Sequence, residues 1–412
     1  MSDQGFTTTT VHADRQSGAE HGALHAPIHT SVQYGFEKVD DLIGVFQGRI
    51  KGGFNYARQG TPTTAAVESL ITRMEGGVGS VSFATGMAAI TAVFLTLLRA
   101  GDHLVASKFV FGNTNSLFGT IQDLGIQVSK VDTSSAAAVE AALTPATRMV
   151  FVETLSNPGT RIPDLEGIGR LCRERGLVFV VDNTVTSPWV FKPASVGASL
   201  VINSLTKSIA GHGNALGGTV TDTGLFDWSA YPNIFEAYRR GDAKGWGLQQ
   251  VRKKGLRDMG GSLSSDHAHR ILVGAETLEL RMVRTAATAL ALARWLRQHP
   301  AIAAVHYPML EEHPQHDTAR RLFRNGSWLL AFELADPARM VPVIDRLRLP
   351  VAATGLGDTR SLIIPVAPTI FWEMGAAGRA DMGIADGLVR LSVGLEDEAD
   401  LIADFAQALA TD

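Results

Sequence analysis

Residues 179–218 read FVVDNTVTSPWVFKPASVGASLVINSLTKSIAGHGNALGG, and the fold follows from how this stretch is punctuated. The apolar run Leu177–Val181 ends at Asp182, and a second run, Leu200–Ile202, leads through Asn203, Ser204, Leu205 and Thr206 to Lys207 and a glycine-rich turn. Short apolar runs bounded by turn residues are the pattern of strands buried on both faces of a parallel sheet. In open α/β sheets the chemistry collects beyond the carboxyl ends of such strands, where this chain puts one acid and one amine.

An acid and an amine so placed suit pyridoxal 5'-phosphate. That cofactor is held covalently by a lysine amine, and a carboxylate keeps its pyridine nitrogen protonated so that the ring can draw electrons from a substrate carbanion. Lys207 and Asp182 are the candidates. Ser204 and Thr206 add hydroxyls that can bind phosphate, and Gly211, Gly213, Gly217 and Gly218 let the backbone pass close to a ligand. Alone, an Asp or Lys after a strand is more often a solvated or capping group; the surrounding residues make the case.

The pattern DNT followed by S-x-T-K-x-x-x-G-H-x-x-x-x-G-G resembles the trans-sulfuration family of pyridoxal-phosphate enzymes: cystathionine synthases and lyases, methionine γ-lyases and homoserine-ester sulfhydrylases. The resemblance runs over nearly the whole chain. It implies an α/β protein of the aspartate-aminotransferase-like fold type I, with a mainly parallel large domain and a smaller α+β C-terminal domain. The divisions expected are an arm over 1–60 that contacts a neighbouring subunit, a cofactor-binding domain over 61–262 and a second domain over 263–412.

Composition agrees with a globular enzyme. The chain has 412 residues, 45% hydrophobic and 19% charged, with a net charge of −4. That balance gives no electrostatic reason to expect nucleic acid or membrane as a partner, and no apolar run is long enough to span a bilayer. Cys172 is the single cysteine, which excludes an intrachain disulfide and favours a cytoplasmic setting. Its helical spacing with Leu165, Ile168 and Leu171 marks it as core. His12, His21, His25 and His29 crowd the N-terminal arm without a standard ligand spacing, so no metal is expected.

Further site residues come in chain order. Thr61-Pro62 is a helix start, with Thr61 as N-cap, and Val67, Leu70, Ile71 and Met74 mark its buried face. Just before it, Tyr56 and Arg58 match the family's Tyr-x-Arg; the resemblance implies that they reach the cofactor phosphate of the neighbouring subunit, with Tyr56 also catalytic. The strand ending at Ala84, the turn Thr85-Gly86-Met87 and the following helix make an anion site, because a helix N-terminus offers free N–H groups and a positive dipole end. Strands are expected at 103–107, 126–131, 149–152, 178–181 and 200–203. Asn157, in Glu153-Thr154-Leu155-Ser156-Asn157-Pro158, is implied to bond the cofactor's phenolic oxygen, with Glu153 supporting.

Phe111 stands where the family usually has a tyrosine that stacks on the pyridine ring. Phenylalanine can stack but cannot move a proton, a change that points toward the sulfhydrylases. Asn113 follows as a substrate contact. Residues 225–262 carry Arg239, Arg240, Lys244, Arg252, Lys253, Lys254 and Arg257 and read as a solvated excursion or a lid. In Leu388–Val393 the period of two puts Arg390 opposite Val389, Leu391 and Val393; a buried arginine needs an anion, and the resemblance supplies a substrate α-carboxylate. Gly355 and Leu356 match the second substrate loop, in a form that lacks the glutamate and serine of the lyases, and Pro365–Phe371 lacks the usual histidines.

The activity implied is γ-replacement on an O-acyl-homoserine by a sulfur nucleophile, in a homotetramer built as a dimer of catalytic dimers. Alternatives are γ-elimination from methionine or cystathionine, and a protein that binds pyridoxal phosphate without catalysis.

Overall fold

The computed structural model describes residues 4–13, 20–50 and 52–410. Its larger sheet contains β1 Gly79–Phe83, β2 His103–Ser107, β3 Gln127–Val131, β4 Thr147–Glu153, β5 Val178–Asp182, β6 Leu200–Asn203 and β7 Gly218–Asp222. Their spatial order is β1-β7-β6-β5-β4-β2-β3. From β3 across to β6 all neighbours run parallel, while β7 is antiparallel to both β6 and β1.

The central strands are apolar throughout because each face meets its own core. Val150, Val152, Phe179, Val181 and Val201 join one cluster, and Met149, Phe151, Val178, Val180, Leu200 and Ile202 join the other. Alternate residues of a strand point to opposite faces, so a strand covered on both sides has no position for a polar side chain until it ends. Asp182 and Asn203 are where β5 and β6 end.

Helix Pro62–Glu75 starts as its sequence requires. Thr61 Oγ1 accepts from the Thr64 N–H at 3.1 Å and Thr64 Oγ1 accepts from the Thr61 N–H at 2.8 Å, a reciprocal cap, and Val67, Leu70, Ile71 and Met74 are buried. Cys172 is buried in the same cluster, and burial raises its thiol pKa. His29 lies between Glu20 and Thr63, and His25 lies 3.4 Å from Glu276.

The segment expected to be a solvated excursion is instead packed inward. Trp228, Tyr231, Ile234, Val251 and Leu256 are buried in the cluster that covers β4–β6 on the side of helix Gly86–Leu97. The indole N–H of Trp228 donates to Asp222 at 3.0 Å, and Gln250, fully buried, donates to the carbonyls of Thr96 and Asn233. Arg252 reaches Glu68 at 2.6 Å. The basic residues therefore occupy the outer face of a segment whose other face closes a core, which excludes a lid over its packed length.

A second sheet holds β8 Ile302–His306, β9 Leu329–Leu334, β10 Val351–Ala352, β11 Leu362–Pro365 and β12 Leu388–Ser392, in the order β10-β11-β12-β9-β8. Only β10 and β11 pair in parallel. Helices Leu278–Arg297 and Glu398–Leu409 cover one face through Leu292, Leu296, Leu401 and Phe405. Among the described residues no helix is long and apolar enough to cross a membrane.

Trp228→Ala should lower folding stability by about 3–5 kcal/mol in urea titration, the cost of emptying a buried indole site. A loss under about 1 kcal/mol would mean that the segment is the loose excursion its charges suggested.

Candidate active site

Beyond the ends of β4, β5 and β6 lies a cavity of about 300 Å³, lined among others by Gly86, Met87, Phe111, Asn157, Asp182, Ser204, Thr206, Lys207, Leu356 and Arg390. The two strand-end groups that opened the sequence argument thus line one space. A second cavity of about 390 Å³ adjoins it, sharing Thr206, Lys207, Leu216 and Leu356 and bounded by Gly213, His267, Gly355 and Asp358.

Local hydrogen bonds hold the two ends. Asp182 Oδ1 accepts from the Thr184 N–H at 2.9 Å, and the Thr184 hydroxyl accepts from the Ser204 N–H at 2.8 Å, tying the tip of β5 to that of β6. The Lys207 N–H donates to the Ser204 carbonyl in the tight turn that follows. Arg281, on helix Leu278–Arg297, is buried and donates to the carbonyls of Ser208 and Ile209, so the backbone just after the lysine is anchored from the second half of the chain.

Charge is arranged around the ring-sized space. Burial pushes the Asp182 carboxyl up to about 6, against the pull of the Thr184 hydrogen bonds and of Lys207. Glu153 pairs in register with Asp182 across β4 and β5 and accepts from the Phe111 N–H at 2.6 Å. Burial, then the charge of Asp182, hold Glu153 well above the ordinary carboxylate range. Two buried carboxyls side by side do not both ionise readily, and the charge of Asp182 adds to the burial that disfavours the Glu153 anion. Burial and the charge of Arg390 lower the Lys207 amine. A lowered amine gives up its proton more readily than an ordinary lysine, which suits proton transfer.

One end of the cavity is built by the turn before helix Gly86–Leu97. Thr85 caps that helix by accepting from the Ala88 N–H at 3.0 Å, leaving the first-turn N–H groups at the cavity. Position 86 must be glycine: a Cβ there would lie 2.8 Å from Cβ of Ser204. Thr206 accepts from the Gly217 N–H at 3.0 Å, so its hydroxyl also closes the glycine turn.

At the other end Arg390 is 1% exposed and donates through Nη2 to the carbonyls of Thr354 and Gly355 at 2.9 and 3.1 Å. Its Nε is buried without a partner, as is Oδ1 of Asn157. A buried guanidinium with an unused donor, an unused carboxamide oxygen and a helix N-terminus around one cavity fit a phosphorylated, carboxylate-bearing occupant, and pyridoxal phosphate with an amino-acid substrate meets those requirements. Gly357, at φ +70°, lets the 354–358 loop pass the lysine turn, where a Cβ would lie 2.6 Å from the Ser208 nitrogen.

Four expected residues stand outside this cavity. Tyr56 is 40% exposed with the Arg58 guanidinium 5.4 Å from its ring centre, and Arg58 donates to the Arg257 carbonyl; within one chain neither reaches the space. Asn113 is exposed on the first turn of helix Gly112–Asp123, and its neighbour Thr114, rotated by about 100°, lines the cavity instead. Gly355 borders the adjoining cavity. Thr184, Leu216, Ile370 and Arg281 were not anticipated. Only the spacing of Thr184 from Asp182, an Asx-turn pattern, offered a signal in the sequence.

Lys207→Ala should abolish the visible absorption of the bound cofactor, and retention of that band would exclude Lys207 as its attachment point. Asp182→Asn should keep the band but lower turnover at least roughly a hundredfold, the scale of losing an electrostatic partner in proton-transfer chemistry.

The comparisons with known proteins agree with this geometry. A family model described as Cys/Met metabolism PLP-dependent enzyme matches residues 7–410. The chain is 35% identical to an L-methionine gamma-lyase of Pseudomonas putida over 408 residues, covering 98% of this chain and 97% of that protein. It is 36% identical to an O-succinylhomoserine sulfhydrylase of Pseudomonas aeruginosa over 410 residues, covering 98% and 95%. The crystal structure of a protein described as an O-acetylhomoserine (thiol)-lyase from Campylobacter jejuni, solved with N'-pyridoxyl-lysine-5'-monophosphate, superposes with a TM-score of 0.94 at 29% identity, covering 99% of this chain and 100% of that one. With a strand-end lysine and aspartate on one cavity and a match along nearly its whole length, the chain belongs to the Cys/Met metabolism family of pyridoxal-phosphate-dependent enzymes.

Proposed function

We propose that this enzyme catalyses γ-replacement on an O-acyl-homoserine, with sulfide as the preferred nucleophile and homocysteine as product; cysteine, giving cystathionine, is the second choice. When bound, pyridoxal phosphate supplies an electron sink for a carbanion at the substrate α-carbon. Asp182 would hold the pyridine nitrogen, Phe111 would cover the ring and Asn157 would hold the phenolic oxygen. Gly86, Met87, Ser204 and Thr206 take the phosphate. Arg390 holds the α-carboxylate, and Lys207 carries protons between the substrate carbons while the γ-ester leaves as a carboxylate and the thiolate takes its place.

The observation that carries this reading is Phe111. A phenyl ring carries no transferable proton, which leaves the lysine amine as the proton carrier. Around the substrate end the wall is apolar, with Phe111, Leu216, Leu356 and Ile370, and among the described residues Lys207 and Arg390 are the only cations that line it. An uncharged acyl group such as acetyl suits that wall better than succinyl, whose second carboxylate would be buried without a cation. The same wall also accepts a thioether, which favours γ-elimination from methionine as the second reading, in line with the similarity to methionine lyases.

Two chains are proposed to complete the site. The arm leaves Leu24, Val39 and Phe46 between 71% and 72% exposed, more apolar surface than a free monomer presents comfortably, and Tyr56 and Arg58 need a neighbouring cavity to act on. A dimer paired into a tetramer is the assembly proposed.

Purified protein given sulfide should convert O-acetyl-homoserine to homocysteine at least about tenfold faster than the O-succinyl ester, the minimum cost of burying one unpaired charge. Release of 2-oxobutyrate from methionine without added thiol, at a comparable rate, would instead establish the lyase.

A further inference from the structure

Next to the strand ends that carry Asp182 and Lys207, and outside the residues lining the cavity, lies a buried carboxyl that the proposed chemistry does not use. Glu75 is the last residue of helix Pro62–Glu75 and is 1% exposed. Its Oε1 accepts from Nδ2 of Asn183 at 3.0 Å and from Nδ2 of Asn203 at 2.7 Å. Asn183 directly follows Asp182, and Asn203 ends the strand that leads to Lys207. One oxygen of Glu75 thus bridges the two strand ends that carry the acid and the amine.

The remaining atoms indicate its protonation state. Glu75 Oε2 and Asn203 Oδ1 are both buried acceptors without a donor, yet they belong to two groups already joined through Oε1 and Nδ2. A carboxylic acid facing a carboxamide closes a ring of two hydrogen bonds, with its O–H supplying the missing donor. We propose that Glu75 is carried as a neutral carboxylic acid, and that its cyclic pair with Asn203, with the bond it takes from Asn183, fixes the tips of β5 and β6 and so the separation of Asp182 from Lys207. It is a positioning residue, and this role is independent of which substrate the cavity takes.

Two further features favour the neutral form. The C-terminal end of a helix is the negative end of its dipole, an unfavourable place for an anion. Burial pushes the carboxyl up to about 7, against the pull of the two carboxamides and of the charge of Lys192. Asn183 is well placed to transmit the constraint. Its second carboxamide hydrogen goes to the Phe191 carbonyl at 2.9 Å, its Oδ1 accepts from Thr186, and its carbonyl accepts from the Ser187 N–H at 2.8 Å, where Ser187 sits at φ +63°.

Folding raises this carboxyl above its unfolded value, so the folded chain binds its proton more tightly and the group weakens folding as pH rises from the ordinary carboxylate range to about 7. Glu75→Gln removes that slope and keeps both hydrogen bonds, because the amide N–H replaces the acid O–H. The test compares holoenzyme carrying Glu75→Gln and Glu75→Ala with the parent. Infrared difference spectra at neutral pH should show a protonated carboxyl band in the parent that Glu75→Gln lacks. The urea midpoint of Glu75→Gln should gain on the parent between about pH 5 and about pH 8. Pyridoxal-phosphate affinity, read by absorption, should stay within about twofold in Glu75→Gln and fall at least about tenfold in Glu75→Ala, which strands two buried carboxamide donors. Absence of the band, or cofactor loss in Glu75→Gln, would overturn the proposal; if Glu75→Ala does not fold, the glutamine variant alone decides.

Discussion

The structure depends on a hydrogen-bonded tie between the carboxyl ends of two parallel strands. Asp182 and Lys207 sit on separate segments, and the parallel pairing of β5 with β6 brings those segments side by side. Thr184 joins them above, through Asp182 Oδ1 and the Ser204 N–H, and Glu75 joins them below, through Asn183 and Asn203. Strands buried on both faces keep charged groups at their ends, as β5 does with Asp182, so the same burial that makes the sheet also concentrates the chemistry there.

The second sheet contributes opposite charge to the same space. Arg390 lies on a strand whose other face is core, and its guanidinium is held by two carbonyls of the loop that Gly357 allows to pass the lysine turn. Arg390 and burial lower the lysine amine, while the lysine and the Thr184 hydrogen bonds draw the aspartate toward its anion. Each group is adjusted by partners from another part of the chain, which makes the cavity a property of the whole fold.

Legibility followed the range of the interactions. The strands β2, β4, β5 and β6 announce themselves as unbroken apolar runs, and the caps at Thr61 and Thr85 are local, so their residues could be read directly. β7 escaped because Gly218-Thr-Val-Thr-Asp has one aliphatic residue; Thr221 is buried with Ser80 as its partner at 2.8 Å, a contact that no local pattern reveals. β8 escaped because it is only half buried. The basic residues of 225–262 hid a packed face built around Trp228 and Gln250, the latter bonded to Thr96, far away in sequence. In the site, motif positions such as Lys207, Asn157 and Arg390 were legible, while Leu216, Ile370, Arg281 and Glu75 matter through contacts that only the folded chain creates.

The most direct test is a crystal structure of the enzyme grown with pyridoxal phosphate. The account predicts continuous density from Lys207 Nζ to the cofactor and the pyridine nitrogen within hydrogen-bonding distance of an Asp182 carboxylate oxygen. A cofactor attached to another lysine, or one whose ring nitrogen faces away from Asp182, would contradict it.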